Sequence, residues 1–217
     1  MTSFVRELLV FSVNQTQNNL IYMLYTGTMD YLSTLDRPNL VMIGKREVKE
    51  GDSEKLVEFG RRLAKRFPNA IFRTGNATGA DRLFMRGISE IAEERLELFI
   101  PFDDHLRNRD GLTVRSLDTL DLTLEAEIVA SARKNLGTAH HVDPYLSGER
   151  DRFTLKIAYI LRDAWMVIGS KSDPVAKADA VFFYDDVNEP LSGGTGFTVK
   201  TARGNRIPCF NQRTWME

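Results

Sequence analysis

Ala70-Ile71-Phe72-Arg73-Thr74-Gly75-Asn76-Ala77-Thr78-Gly79-Ala80-Asp81-Arg82 is the stretch on which the fold turns. A short apolar run ends in a glycine-bearing turn, and beyond it Leu83, Phe84, Gly87, Ile88, Ile91 and Ala92 recur at helical spacing on one face. Strand, glycine turn, helix is one βα unit of a parallel sheet. Glycine lets a backbone take positive φ and approach a ligand closely, and the unpaired N–H groups that open a helix then face an anion. A second turn of this kind, Ser192-Gly193-Gly194-Thr195-Gly196-Phe197-Thr198, comes after the apolar run Ala180-Val181-Phe182-Phe183-Tyr184. Two such cradles in one small chain imply a single pocket that grips a phosphorylated ligand from two sides.

The same alternation continues outward. Leu40-Val41-Met42-Ile43 reads as a buried strand entering the loop Gly44-Lys45-Arg46. Leu56, Gly60, Leu63, Ala64 and Phe67 follow at helical spacing, with Asp52 and Ser53 as caps and Pro68 as the stop. Leu96 to Ile100 supplies another strand, the apolar positions from Phe153 to Ile168 a helix ended by Gly169, and Ile207 to Phe210 a last strand. The predicted fold is α/β: a Rossmann-like, doubly wound, mostly parallel sheet with helices on both faces. Residues 38–217 form the expected nucleotide-binding domain, with a helical insertion at about 102–150 whose helix runs from about Thr123 to Leu136. Residues 1–37 read as an N-terminal extension holding a strand at Leu8 to Val13 and an amphipathic stretch from Leu20 to Leu35.

With 217 residues the chain fits one medium domain, large enough to bury about 70% of its unfolded surface. Its 29 Lys and Arg balance 30 Asp and Glu, so nothing in the net charge of −1 announces nucleic acid. The lone Cys209 forms no internal disulfide, no leader-like segment is visible, and the apolar runs are too short for a bilayer, so a cytoplasmic protein without a membrane partner is expected.

Neither turn matches G-x-G-x-x-G or G-x-x-x-x-G-K-[ST], which sets aside the common dinucleotide and P-loop fingerprints. Thr-Gly-x-x-x-Gly-Ala-Asp-Arg after a strand, joined to a late Ser-Gly-Gly-Thr-Gly and an Ile-Pro-x-Phe-Asn strand, resembles the SLOG superfamily. That group includes the Lonely Guy phosphoribohydrolases and the DNA-processing protein A recombination mediators. The likeness covers about residues 38 to 212 and is nearest to the uncharacterised bacterial and phage branch. Gly44-Lys45-Arg46 stands where that branch has Gly-Ser-Arg, and Arg162-Asp163 where it has Arg-Asn.

The resemblance implies phosphate held by Thr74, Gly75, Asn76, Gly79, Ala80 and Asp81 on one wall and by Gly193, Gly194, Thr195, Gly196 and Thr198 on the other, with Gly44, Lys45, Arg46 and Arg162 beside them. The phosphoribohydrolase motif, Pro-Gly-Gly-x-Gly-Thr-x-x-Glu, is incomplete: Ser192 replaces Pro, Phe197 replaces Thr, and the Glu slot falls on Val199 or Lys200. A departing base needs a nearby carboxylate. Asp81, Asp163 and Asp185 are the candidates to supply one, with Asp186 beside them, although such acids also serve simply as helix-capping or solvated groups.

Arg46, Arg73, Arg82 and Arg162 are candidates to neutralise phosphate. His140-His141, near Asp143, has no metal-ligand spacing and reads as a polar loop, so neither a metal nor a cofactor is expected. Trp165 falls among core positions and Trp215 on the tail. The leading expectation is a homo-oligomeric protein that binds a nucleotide-like small molecule, with hydrolysis as an associated activity. Single-stranded DNA binding and non-catalytic sensing are the alternatives.

Overall fold

The computed structural model describes residues 19–105, 112–135, 137–186 and 190–216. The expected strand at Leu8 to Val13 lies outside them. Residues 19–32 form helix α1, and the six strands are β1 (Asn39–Gly44), β2 (Ile71–Thr74), β3 (Leu96–Ile100), β4 (Thr113–Ser116), β5 (Ala180–Tyr184) and β6 (Cys209–Asn211). All pair in parallel, in the order β4-β3-β2-β1-β5-β6. The chain winds outward from β1 through β4, then returns to the other side of β1 to lay down β5 and β6. Strand order therefore reverses between β1 and β5, and in an open parallel sheet a ligand crevice forms outside the carboxyl ends of the strands at that point.

Strand side chains alternate between the two faces. Leu40 and Met42 of β1 enter one core with Ala180 and Phe182 of β5, and Val41 and Ile43 enter the opposite core with Val181 and Phe183. The first core is covered by α1, α2 (Ser53–Arg66) and α3 (Ala80–Ala92); the second by α4 (Ala126–Arg133), α5 (Val142–Leu146), α6 (Leu155–Ile168) and α7 (Gly193–Gly204). Gly60 and Gly87 bring α2 and α3 into backbone contact, since a Cβ on Gly87 would stand 1.8 Å from the Val57 carbonyl oxygen. The short α8 (Gln212–Trp215) closes the chain.

Several expectations are corrected. Asp52 occupies the N-cap position of α2 but makes no capping hydrogen bond; its carboxylate accepts from the Tyr184 hydroxyl at 2.9 Å. Ile91 points outward, 39% exposed, because the stripe it was assigned to is continued instead by Ala92. Trp215 is part of the core, stacked on Phe59 at 4.2 Å with its indole N–H donating to the Phe210 carbonyl. Segment 102–150 contains β4, whose Thr-Val-Arg-Ser sequence lacks the apolar run by which the other strands are recognised. Among the described residues no helix is long and apolar enough to cross a membrane.

Candidate functional site

A cleft of about 1810 Å³ opens at the carboxyl ends of β1 and β5, the switch point of the sheet. Its walls include Gly44, Lys45, Arg46, Gly75, Asp81, Arg162, Asp163, Asp185, Gly193, Gly194, Thr195 and Thr198. The structure thus brings elements of both glycine turns, the β1 loop and the Arg162-Asp163 pair to one cavity.

The two turns serve it differently. At the second, Gly193 adopts φ +61° with open space where a Cβ would stand, whereas a Cβ on Gly194 would stand 3.3 Å from Asp163 Oδ2. Both lie in the first turn of α7, where backbone N–H groups have no partner within the helix. By contrast, a Cβ on Gly75, Gly79 or Gly196 would meet Arg162 Nη1 at 2.1 Å, the Arg46 carbonyl at 2.1 Å or the Leu191 carbonyl at 1.9 Å. Gly79 and Gly196 thus pack backbone against backbone, and Gly75 packs against the Arg162 side chain of α6. Thr74 and Ala80 are fully buried beneath the first turn, and Asn76 takes φ 54° there, so this turn shapes the wall chiefly through Gly75 and Ala77.

Asp81 explains how that turn is held. Buried at 3% exposure, its Oδ1 accepts from Gly44 N at 2.8 Å, and its Oδ2 accepts from the Thr74 hydroxyl at 3.1 Å and Ala77 N at 3.3 Å. It ties the end of β1 to the β2 turn. Asp185 does the same for the other wall: Oδ2 accepts from Leu191 N at 2.6 Å and Oδ1 from Asp186 N at 3.0 Å. That bond holds Leu191 at φ 56°, a conformation uncommon for a bulky residue. Lys45 spans the cleft mouth, donating from Nζ to the Ser192 hydroxyl at 2.6 Å and to its carbonyl at 3.1 Å, with Asp185 at 3.7 Å.

Asp163 is differently placed. It is buried, its Oδ1 lies 3.0 Å from Arg162 Nε, and the Thr198 hydroxyl is within bonding reach while also donating to Gly194 O at 2.9 Å. Arg162 Nε nevertheless donates no hydrogen bond, so the pair is an ionic contact without alignment, and Nη1 is committed to the Phe99 carbonyl at 2.9 Å. Burial pushes the carboxyls of both Asp81 and Asp163 up to about 6; Arg162 opposes this at each, and hydrogen bonds oppose it too. One guanidinium therefore sits between two carboxyls that charge reluctantly. Of the three acids proposed for chemistry, only Asp163 turns a lightly partnered carboxylate toward the open glycines.

Arg73 is not a phosphate ligand. It is buried on β2, donating to Ala176 O at 2.6 Å and Asn39 Oδ1 at 2.7 Å, and its pair with Glu97 continues to Arg115 and Asp173 across the sheet. Arg82 is exposed on α3 and outside the cleft. Sequence reading passed over Lys49, Lys134, Lys156, Tyr159 and Lys200, all of which line it. A signal was present on α6: Lys156, Tyr159 and Asp163 interrupt an apolar helix at spacings of three and four, which marks one face. Among the described residues no cluster of His, Cys, Asp and Glu could hold a metal ion. His140 and His141 contact each other, and His141 stacks on Phe153.

No family model and no curated protein matches the chain. Among solved structures it is similar to DNA processing protein A from Helicobacter pylori, described for its single-stranded DNA binding mode. The identity is 15% and the TM-score 0.47, over 83% of this chain and 67% of that one. It is also similar to the tyrosyl-tRNA synthetase of Leishmania major, with 14% identity and a TM-score of 0.33. That likeness covers 82% of this chain, which spans about a third of the synthetase (32%).

Proposed function

We propose that the cleft binds a nucleotide through its phosphate, seated on the first turn of α7 and faced by the β1 loop. The observation that carries this reading is the open backbone at Gly193, in the first turn of α7, with Lys45 and Arg46 lining the same cleft at the switch point of the sheet. Helix-start N–H groups and cations together stabilise an anion. Substitution Gly194→Asp puts a carboxylate where the phosphate sits. A folded G194D protein is expected to lose at least tenfold in nucleotide affinity by calorimetry, a change of about 1.4 kcal/mol; unchanged affinity would remove this site.

A second reading, single-stranded DNA, is favoured by the extent and charge of the cleft. Small-ligand pockets occupy about 300–1,000 Å³, and this one is larger at about 1810 Å³. Lys45, Arg46, Lys49, Lys134, Lys156 and Lys200 lie along it against the accessible Glu47, Glu127 and Asp186, whereas Asp81, Asp163 and Asp185 are buried. The overall charge balance of the sequence thus conceals a local excess of accessible cations. A strand that contacts several phosphates loses affinity steeply with salt, with a slope of roughly −0.7 per phosphate neutralised. Titration of a thymidine oligomer between 50 and 200 mM salt separates the two: a slope near that of a mononucleotide would reject the strand. Hydrolysis has one carboxylate left to recommend it, Asp163.

A further inference from the structure

We infer that Tyr159 forms a subsite for the aromatic base of the nucleotide, on the α6 side of the cleft. The inference rests on the nucleotide reading above and supplies the recognition that phosphate contacts cannot. Phosphate contacts position a ligand without reading its base.

Tyr159 is 36% exposed, lines the cavity, and its hydroxyl makes no hydrogen bond among the described residues.

Its surroundings keep it upright. Phe102 stands perpendicular to it, with centroids 6.0 Å apart at 87°, and His105 does likewise at 5.8 Å and 79°. No ring among the described residues lies parallel against Tyr159. A base is the ligand part suited to the exposed side of such a ring, because every base offers a flat π face.

The ring is also tied to the rest of the cleft wall. The guanidinium of Arg162 lies 5.9 Å from the Tyr159 centroid, and its Nη1 abuts Gly75 of the first glycine turn. Arg162 thus joins the ring to the wall that carries the first glycine turn, in the same cleft as Gly193 and Gly194. Lys156 and Ile160, on the same side of α6, extend the wall with one cation and one apolar surface. Burial and the nearby Arg162 lower the pKa of His105 behind the tyrosine, opposed by Asp104.

Calorimetry with AMP, GMP, CMP, UMP and ribose 5-phosphate tests the subsite on wild type, Tyr159→Ala and Tyr159→Phe. The expected result is that Tyr159→Ala weakens the bound monophosphates roughly 5- to 100-fold, leaves ribose 5-phosphate within twofold, and that Tyr159→Phe retains nearly full affinity. Circular dichroism confirms that each variant is folded, and since Tyr159 is partly exposed the alanine form is expected to be so. If wild type binds ribose 5-phosphate as tightly as every nucleotide, or if Tyr159→Ala weakens all ligands equally, the base subsite is wrong and the phosphate site stands. If none of the five ligands binds, the phosphate site and the subsite both fall.

Discussion

Two buried aspartates with the same raised pKa have opposite expected behaviour on amide substitution. Asp81 receives three hydrogen bonds from Gly44, Thr74 and Ala77, so an amide nitrogen in its place would confront donors and leave buried groups unpaired. Asp81→Asn is expected to destabilise the protein by about 1–3 kcal/mol, read as a fall of several degrees in Tm at pH 7. Asp163 has one hydroxyl and an unaligned guanidinium, and burial outweighs both. Its folded pKa of about 6 lies above the unfolded value of 3.8, so the native state holds the proton more tightly. Its contribution to stability is then fully present below about pH 4 and is lost as pH rises through 6. Asp163→Asn cannot ionise. Its Tm relative to wild type should rise between pH 4 and 6 and level off above, and a flat difference across that window would show that Asp163 is not shifted.

At the level of elements, the glycines divide by what a methyl group would meet. Gly87 lies where α3 crosses α2, with the Val57 carbonyl 1.8 Å from the added carbon, and backbone cannot yield as a side-chain tip can. Gly87→Ala is expected to lower stability by about 2 kcal/mol or more through overpacking. Gly27, in α1, has nothing within 4 Å and an ordinary helical φ. Gly27→Ala should raise stability by about 0.5–1 kcal/mol. Urea unfolding of the pair checks both signs. The same distinction bears on the glycine turns, where Gly196 closes against Leu191 and Gly193 opens to the cleft. In sequence these residues are the same letter in one motif.

For the whole molecule, the switch point between β1 and β5 concentrates loops from separate parts of the chain, so a ligand seated there joins them. A nucleotide present at a hundred times its Kd adds about 2.7 kcal/mol, which for this chain length is a Tm rise of roughly 5–10 °C. Hydrogen exchange should report that protection at the loops after β1, β2 and β5, with little change at α1. A rise in Tm with protection confined elsewhere would move the ligand from the cleft.

The sequence alone determined the parallel α/β architecture, because fully buried strands read as apolar runs and their covering helices as stripes of period 3.6. Five of the strands announced themselves in that way; β4 did not, because an edge strand with Thr113 and Arg115 has little apolar surface to show. The sequence also grouped Gly193, Gly194, Lys45 and Arg162 at one pocket, and all four line the cleft. Only the tertiary structure decided that Asp81 and Asp185 hold loops, that Arg73 belongs to an ion network inside the sheet, and that Tyr159 reaches the cleft. Those roles depend on which donors, walls and charges arrive from distant segments. Local periodicity carries which face is buried, whereas the partner of a buried charge is set by the winding of the chain.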